Sequence, residues 1–273
     1  MPRIATSIVV DPNQLDPRAK EAFIERLYEL HTRIFDVERE AFVAYVIDSR
    51  AEHTHIQVYE DASGRAVGYF ALHIFEKVMG GEKLSVMRGE LGMVSEFRGC
   101  NVNARFAIDR LLRYLVKNPD RRLYLFASPV HPSCYSQTAR YADRVWPSDT
   151  EETPADVHDL MIELARSFGL RAVDEARPFV RHVGWRTRDT AADRSYWLGH
   201  AGDAAHFYVR QNPGFVDGHG LLMLVPLSLG GVMRAALRFA SAKLSRRLRH
   251  VVASLAGRRR SSVSDPREGA RAA

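Results

Sequence analysis

The change of hydrophobic period between residues 84 and 117 constrains the fold more than any other feature of the sequence. Leu84–Val94 alternates as a strand does, whereas apolar residues from Phe106 to Leu115 recur at helical spacing. The turn Ser95–Val102 joins the two patterns. A strand–turn–helix of this kind directs several backbone N–H groups at one spot, and the helix N-terminus adds partial positive charge there. The sequence therefore predicts an anion-binding turn.

The elements on either side of this turn predict an α/β (α+β) fold class, a mixed, twisted sheet flanked by helices. Hairpin strands come first and a β-α-β-α unit follows, which favours a crossover helix between parallel strands. The predicted strands are residues 4–10, 55–59, 66–77, 84–94 and 122–127, and the predicted helices are residues 15–34, 37–48, 103–117 and 133–145.

Beyond Pro147 the hydrophobic pattern is weaker, and we predict four segments along the chain. Residues 1–150 form the core, and residues 151–228 form an extension packed on it, with helices at 155–168 and 204–211 and a strand at 221–227. Residues 229–257 form a long basic amphipathic helix, and residues 258–273 have the composition of a disordered tail.

Composition restricts the kind of protein that this chain can be. Two cysteines in 273 residues argue against a disulfide scaffold and favour a reducing compartment. No Cys/His cluster has zinc spacing, so we expect no metal. The N-terminal apolar run is short, and no uncharged apolar stretch reaches about 18 residues. The expected location is the cytoplasm.

The excess positive charge lies in the C-terminal helix. From Gly218 to Ser264 there is no Asp or Glu, while nine Lys or Arg fall between Arg234 and Arg260. Three interpretations stay open for residues 232–256. The helix packs on the domain or on a second copy as a homodimer contact, it lies on the anionic inner membrane surface, or it docks an acidic partner such as acyl carrier protein. Nucleic acid is the least favoured partner, because no recognised binding motif accompanies the charge.

Two motifs resemble the GNAT superfamily of N-acetyltransferases over roughly residues 1–150. That family binds the coenzyme A pyrophosphate in an Arg/Gln-x-x-Gly-x-Gly/Ala turn between a strand and a helix. Here Arg98–Asn103 stands in that place, with Asn101 and Asn103 where the family has glycine. Downstream, Tyr141–Trp146 resembles the family pattern Tyr-x-x-x-Gly-Phe, with Val and Trp in the last two places.

The resemblance implies a GNAT-like acyltransferase core. Its activity is transfer of an acyl group from an acyl thioester to an amine, and its co-substrate is acetyl-CoA, a longer acyl-CoA or acyl carrier protein. The pantetheine arm pairs with the backbone beside Met93 and Val94, and that backbone donates an N–H to the thioester carbonyl. The implied co-substrate-binding residues are Met93, Val94, Arg98, Gly99, Cys100, Asn101, Val102 and Asn103.

Acyl transfer to an amine needs a base for the amine and an acid for the leaving thiolate. Glu90 is the predicted base, because period-two geometry places it on one face of the strand with Gly92 and Val94. His73, on the neighbouring strand, is the alternative base, since its unperturbed pKa suits the task. Tyr141 is the predicted acid, as the resemblance implies.

Each of these residues also has a structural interpretation: Glu90 as a solvated strand residue, His73 as a packed one, and Tyr141 as part of the core. The side chains of Asn101 and Asn103 favour a second hypothesis, a catalytically silent domain of the same fold that acts as a binding module. The sequence does not identify the amine acceptor.

Overall fold

The structure, a computed structural model, describes residues 3–98, 103–199, 202–242 and 244–245. The strands of these residues are β1 (Thr6–Val10), β2 (Phe35–Asp36), β3 (His53–Glu60), β4 (Ala66–Met79), β5 (Glu82–Met93), β6 (Arg122–Ala127), β7 (Val180–His182), β8 (Arg186–Thr187), β9 (His219–Leu221) and β10 (Met223–Leu227). The helices are α1 (Pro17–Thr32), α2 (Arg39–Phe42), α3 (Asn103–Lys117), α4 (Pro132–Tyr141), α5 (Ala155–Ser167), α6 (Ala191–Gly199), α7 (Asp203–Gln211) and α8 (229–242).

Six strands form the central sheet in the order β1-β3-β4-β5-β6-β10. Neighbouring strands are antiparallel except β5 and β6, which pair in parallel across the crossover helix α3. The predicted mixed sheet flanked by helices is therefore confirmed. The two-stranded sheets β2-β8 and β7-β9 lie outside it.

Helices cover both faces of the sheet, as adjacent residues of β4 show. The hydroxyl of Tyr69 lies 2.6 Å from Nδ1 of His31 on α1, whereas the ring of Phe70 meets that of Phe106 on α3 at 5.8 Å between centroids. Successive side chains of a strand point to opposite faces. We call the face of Tyr69 the α1 face and the face of Phe70 the α3 face.

Local chemistry sets the helix boundaries. Asp16 caps α1 by accepting a hydrogen bond from the N–H of Ala19 at 2.9 Å. The helix predicted over 37–48 is α2 followed by a π-helical turn, Val43–Ile47. The helix predicted over 133–145 is shorter, because Ala142 has an extended backbone (φ −68°, ψ 152°) and ends α4 at Tyr141.

The chain beyond residue 150 supplies an outer strand of the central sheet. β10 pairs with β6 from Met223↔Ala127 to Leu227↔Leu123. The predicted division of the chain at residue 150 stays a prediction, but strand pairing crosses it.

Helix α8 packs through a face that its periodicity did not single out. Val232 is buried, and Ala235 and Phe239 line the cavity described below. Met233 and Leu237, which are four residues apart and so share one side of the helix, are 54% and 69% exposed. The parts of the predicted helix from residue 246 onward and the predicted tail over 258–273 lie outside the described residues.

A leucine pair tests whether β10 belongs to the core. Leu224 is fully buried in β10, whereas Leu229 at the start of α8 is 46% exposed. We expect Leu224→Ala to lower the free energy of unfolding by about 2–5 kcal/mol, because it leaves a cavity in the core. Leu229→Ala, the matched control, should change it by about 0.5 kcal/mol or less. Equal effects in urea denaturation would contradict the placement of β10.

Candidate active site

Strands β5 and β6, which are neighbours in the central sheet, separate from each other partway along their length. Their parallel pairing runs only from Leu84↔Arg122 to Met87↔Leu125, although β5 continues to Met93. Beyond Met87, β5 remains paired with β4 on its other side. A gap therefore opens in the sheet, and the backbone of β5 borders it.

A cavity of about 900 Å³ opens at this gap. Its lining includes Leu91 and Met93 of β5, Leu125 and Ala127 of β6, and Ala107 of α3. Most of its wall is apolar, and its polar groups include two clusters. One cluster surrounds Glu90 on β5, and the other lies at the turn before α3. A large apolar pocket with a few convergent polar groups is the usual form of a ligand site.

Glu90 lies in the cavity on the α1 face, where it stands opposite Ala71 of β4. Burial raises the pKa of Glu90 from an ordinary value of 4.5 to about 8, against the opposing effect of the Arg88 charge. Desolvation disfavours the charged carboxylate, so the group is poised to take up and release a proton near neutral pH. The role of Glu90 as the base stays a prediction, and its carboxyl group lines the cavity.

Arg88 shares the cavity with Glu90 and is 7% exposed. Its Nη2 donates a hydrogen bond to the hydroxyl of Tyr45 at 2.7 Å. Its guanidinium lies 4.9 Å from the centroid of the Tyr45 ring and 4.5 Å from that of Phe168. Trp185 packs edge-on against Tyr45 at 5.0 Å between centroids. Aromatic rings thus wall the α1 side of the cavity.

His73, the alternative base, is not among the residues that line this cavity. It is buried on β4 opposite Arg88, and its Nδ1 lies 3.0 Å from the hydroxyl oxygen of Thr54. Burial, with a smaller effect of Arg88, lowers the pKa of His73 to about 4. The structure therefore does not bring His73 together with Glu90 at the gap.

Tyr141 and Cys134 line the cavity from α4. The Tyr141 ring meets Phe239 of α8 at 5.7 Å, and Arg238 of α8 donates a hydrogen bond to the Tyr141 carbonyl at 3.1 Å. Cys134 is exposed to the cavity, and desolvation by the surrounding protein, with a smaller effect of Glu90, raises the pKa of its thiol to about 12. A thiol with that pKa is a poor nucleophile, because the thiolate is the reactive form.

The backbone at the end of β5 corrects one detail of the predicted site. The N–H of Val94 donates to the Val67 carbonyl of β4 at 3.0 Å. Backbone N–H groups of a strand alternate in direction, so those of Met93 and Leu91 point toward the gap. The donors available to a ligand in the gap are therefore Met93 and Leu91 rather than Val94.

The turn before α3 holds the second polar cluster. Nη1 of Arg98 donates a hydrogen bond to Asp189 at 3.1 Å, and Nε2 of His131 lies 3.2 Å from the other oxygen of Asp189. Burial alone would raise the pKa of Asp189, but His131 and Arg98 hold it below its ordinary value. Asn103 is the first residue of α3 and also lines the cavity. The predicted binding residues Gly99, Cys100, Asn101 and Val102 lie outside the described residues.

Sequence reasoning missed Arg88, Tyr45, Trp185 and Asp189. The position of Arg88 on the same strand face as Glu90 was available from period-two geometry. Trp185 and Asp189 come from chain beyond the recognised motifs, and no local pattern marks them.

Two kinds of feature, a metal-binding cluster and a membrane-spanning helix, are absent from the described part of the chain. Among those residues, no three His, Cys, Asp or Glu side chains are grouped so that they can hold a metal ion. Over the same ranges, no helix combines the length and the apolar character needed to cross a bilayer.

Comparison with known proteins yields structural likenesses alone. No family model matches the chain. No curated protein sequence matches it. A GNAT family N-acetyltransferase (YhbS) from Escherichia coli, solved in complex with CoA, is 18% identical over 49% of this chain and 67% of its own, with a TM-score of 0.34. NAA60 from Arabidopsis thaliana, solved in complex with acetyl-CoA, is 17% identical over 51% of this chain and 87% of its own, also with a TM-score of 0.34. Likeness at this level does not assign the chain to a family.

The raised pKa of Glu90 makes stability depend on pH. Between pH 4.5 and about 8 the folded chain holds a proton on Glu90 that the unfolded chain has released. Stability contributed by this group is therefore complete below pH 4.5 and declines as the pH rises toward 8. We expect Glu90→Gln, which cannot ionise, to be more stable than the wild type at pH 8 and to lose that advantage at pH 5. Thermal denaturation at the two pH values measures the difference, and a constant difference would contradict the raised pKa of Glu90.

The contact between Asp189 and Arg98 predicts a gain of anion binding. Asp189→Asn removes a buried negative charge beside the turn and leaves Arg98 free. We expect pyrophosphate to bind roughly tenfold more tightly, which corresponds to about 1.4 kcal/mol. Isothermal titration calorimetry measures the change, with Asp109→Asn on the exposed side of α3 as the control. Unchanged affinity in Asp189→Asn would show that the turn is not the anion site.

Proposed function

We propose that this protein is an N-acyltransferase that moves an acyl group from an acyl thioester to an amine. One observation carries the proposal: the gap between β5 and β6 opens onto a cavity in which Glu90 has a pKa of about 8. A gap bordered by unpaired backbone accepts an extended arm by strand-like hydrogen bonding, and a carboxyl group beside it supplies the base.

The proposed reaction uses groups that line one cavity. The amine loses a proton to the Glu90 carboxylate, and its nitrogen attacks the thioester carbonyl carbon. Backbone N–H groups at Leu91 or Met93 stabilise the negative charge that develops on the carbonyl oxygen. The C–N bond forms, the C–S bond breaks, and Tyr141 gives a proton to the departing thiolate. The products are an amide and a free thiol.

The donor is proposed to be acetyl-CoA or a longer acyl-CoA. Arg98 and Asn103 line the cavity, and Asn103 is the first residue of α3, whose N-terminus favours a pyrophosphate through its partial positive charge. Acyl carrier protein is the alternative donor, and the nine Lys or Arg residues between Arg234 and Arg260 suit its acidic surface.

The location is proposed to be the cytoplasm, with peripheral contact at the inner membrane surface as a further proposal. The exposed apolar residues Met233 and Leu237 on α8 support that contact. Liposome flotation of the chain with and without residues 232–273 tests it. Equal behaviour of the two forms would remove the membrane proposal.

A second candidate function is a catalytically silent binding module of the same fold. The observation that favours it is the engagement of Arg98 by Asp189, which neutralises the arginine at the turn. Thermal-shift titration with acetyl-CoA, longer acyl-CoAs and acylated carrier protein separates the two functions, because a ligand of the folded form raises its stability. No shift with any thioester would favour the silent module.

Loss of the carboxyl group should abolish turnover without abolishing donor binding. We expect Glu90→Gln to lower kcat by about 10²–10⁴-fold, the usual contribution of a general base. Thiol release from acetyl-CoA in the presence of a panel of primary amines and amino acids measures it. Glu82→Gln, at the exposed start of the same strand, is the matched control and should keep full activity. Equal rates in the wild type and Glu90→Gln would remove Glu90 as the base.

The pH profile provides an independent test of the same role. Glu90 accepts a proton only as the carboxylate, so kcat should rise with pH and level off above a pKa of about 8. Tyr141→Phe removes the proposed acid and leaves the proposed base, Glu90, in place. It should therefore lower kcat while kcat still rises with pH toward the same pKa. An ascending limb near pH 4 would point to a solvated carboxylate instead.

A further inference from the structure

Arg88 is a buried cation with no carboxylate partner among the described residues. It is 7% exposed, and none of the ion pairs in the described ranges includes it. Its Nη2 donates to the Tyr45 hydroxyl, while its buried Nε has no hydrogen-bond partner. A buried charge without a counterion is costly, so proteins rarely retain one without a use.

The titratable groups that face Arg88 do not balance its charge near neutral pH. Glu90, two residues along the same strand face, has a pKa of about 8 and is mostly protonated there. His73, opposite Arg88 on β4, is neutral because its pKa is about 4. Burial raises the pKa of Tyr45, which keeps the phenol neutral. Among the described residues, the groups that face Arg88 therefore leave its positive charge without an anion.

The spacing of Arg88 and Glu90 indicates the kind of molecule that fits. Residues two apart on a strand lie about 6.6 Å apart along it, and both side chains line the same cavity. A compact molecule with a positive or protonatable group near one end and an anionic group near the other spans that distance. The rings of Tyr45, Phe168 and Trp185 line the cavity beside it and favour an apolar body.

We propose that the cavity takes a substrate with a carboxylate, which Arg88 binds, and that this substrate is an amino acid acceptor whose amine lies at Glu90. The Nε–H of Arg88 is an unfilled donor for that carboxylate, and charge-assisted hydrogen bonds of this type are strong. The Tyr45 hydroxyl accepts from Arg88 and has its own proton to donate to the same carboxylate. The assignment of the amine rests on the proposed function, whereas binding of the carboxylate does not.

The carboxylate that Arg88 binds can instead belong to the acyl group of the donor. A dicarboxylic acyl thioester places its free carboxylate at the far end of the acyl chain. Two pairs of probes separate the sources: phenylalanine against phenethylamine for the acceptor, and succinyl-CoA against butyryl-CoA for the donor. Each pair differs mainly in the carboxylate.

Isothermal titration calorimetry of the full chain tests the proposal. We expect phenylalanine to bind at least tenfold more tightly than phenethylamine, and Arg88→Met to remove that preference. Arg88→Lys should restore part of it, because the charge returns without the planar guanidinium. Arg113→Met, an exposed arginine on α3, is the matched control and should keep the preference.

The outcomes distinguish this proposal from the proposed function. Equal binding of both members in each probe pair to the wild type would overturn the proposal, and so would a preference that survives in Arg88→Met. A succinyl-CoA preference alone would assign the carboxylate to the donor and overturn the acceptor assignment. If no thioester binds but phenylalanine binding depends on Arg88, the acyltransferase proposal fails and the carboxylate site stands. If Arg88→Met does not fold, Arg88→Lys and the wild-type probe pairs still decide the matter.

Discussion

The short parallel contact between β5 and β6 is the constraint on which the rest of the structure depends. Four residue pairs hold the two strands together, and beyond Met87 and Leu125 they diverge. A strand inside a sheet normally has both backbone edges paired, since unpaired backbone groups are costly when buried. Here β4 keeps one edge of β5 fully paired, so the other edge can stay open without loss of the strand. The cavity and the exposure of Glu90 to it follow from that opening.

The electrostatics of the cavity follow from its apolar walls. Glu90 and Cys134, which line the cavity, both have pKa values shifted toward their neutral forms, and desolvation is the largest cause in each case. Arg88 keeps its charge, because a guanidinium does not deprotonate in proteins. The faces of the Tyr45 and Phe168 rings partly compensate the positive charge of Arg88. The part of the cavity around protonated Glu90 is thus apolar, with a fixed positive charge on Arg88.

Much of the fold was predictable from the sequence, because local patterns determine it. The predicted bounds of α3 and β6 agree with the structure, since each is a strong hydrophobic repeat bounded by clear turn signals. The alternation of side chains along a strand predicted that Glu90 shares one face of β5 with Gly92. The contact of Asp189 with Arg98 joins residues 91 positions apart, and no local pattern predicts it. The hydrophobic pattern of the sequence also does not predict which side of α8 packs inward. Val232, Ala235 and Phe239 contact surfaces that form only when the chain has folded.

The position of β10 near the end of the sequence has a consequence for biosynthesis. β6 ends at Ala127, and the strand that covers its outer edge begins at Met223. While a ribosome makes the residues between them, the β6 edge is an unpaired strand with exposed N–H and C=O groups. Such edges template pairing with other chains, and long-range strand pairing is slow. The nascent chain therefore passes through a stage that is prone to aggregation, and a chaperone that shields strand edges would act before residue 227 leaves the ribosome.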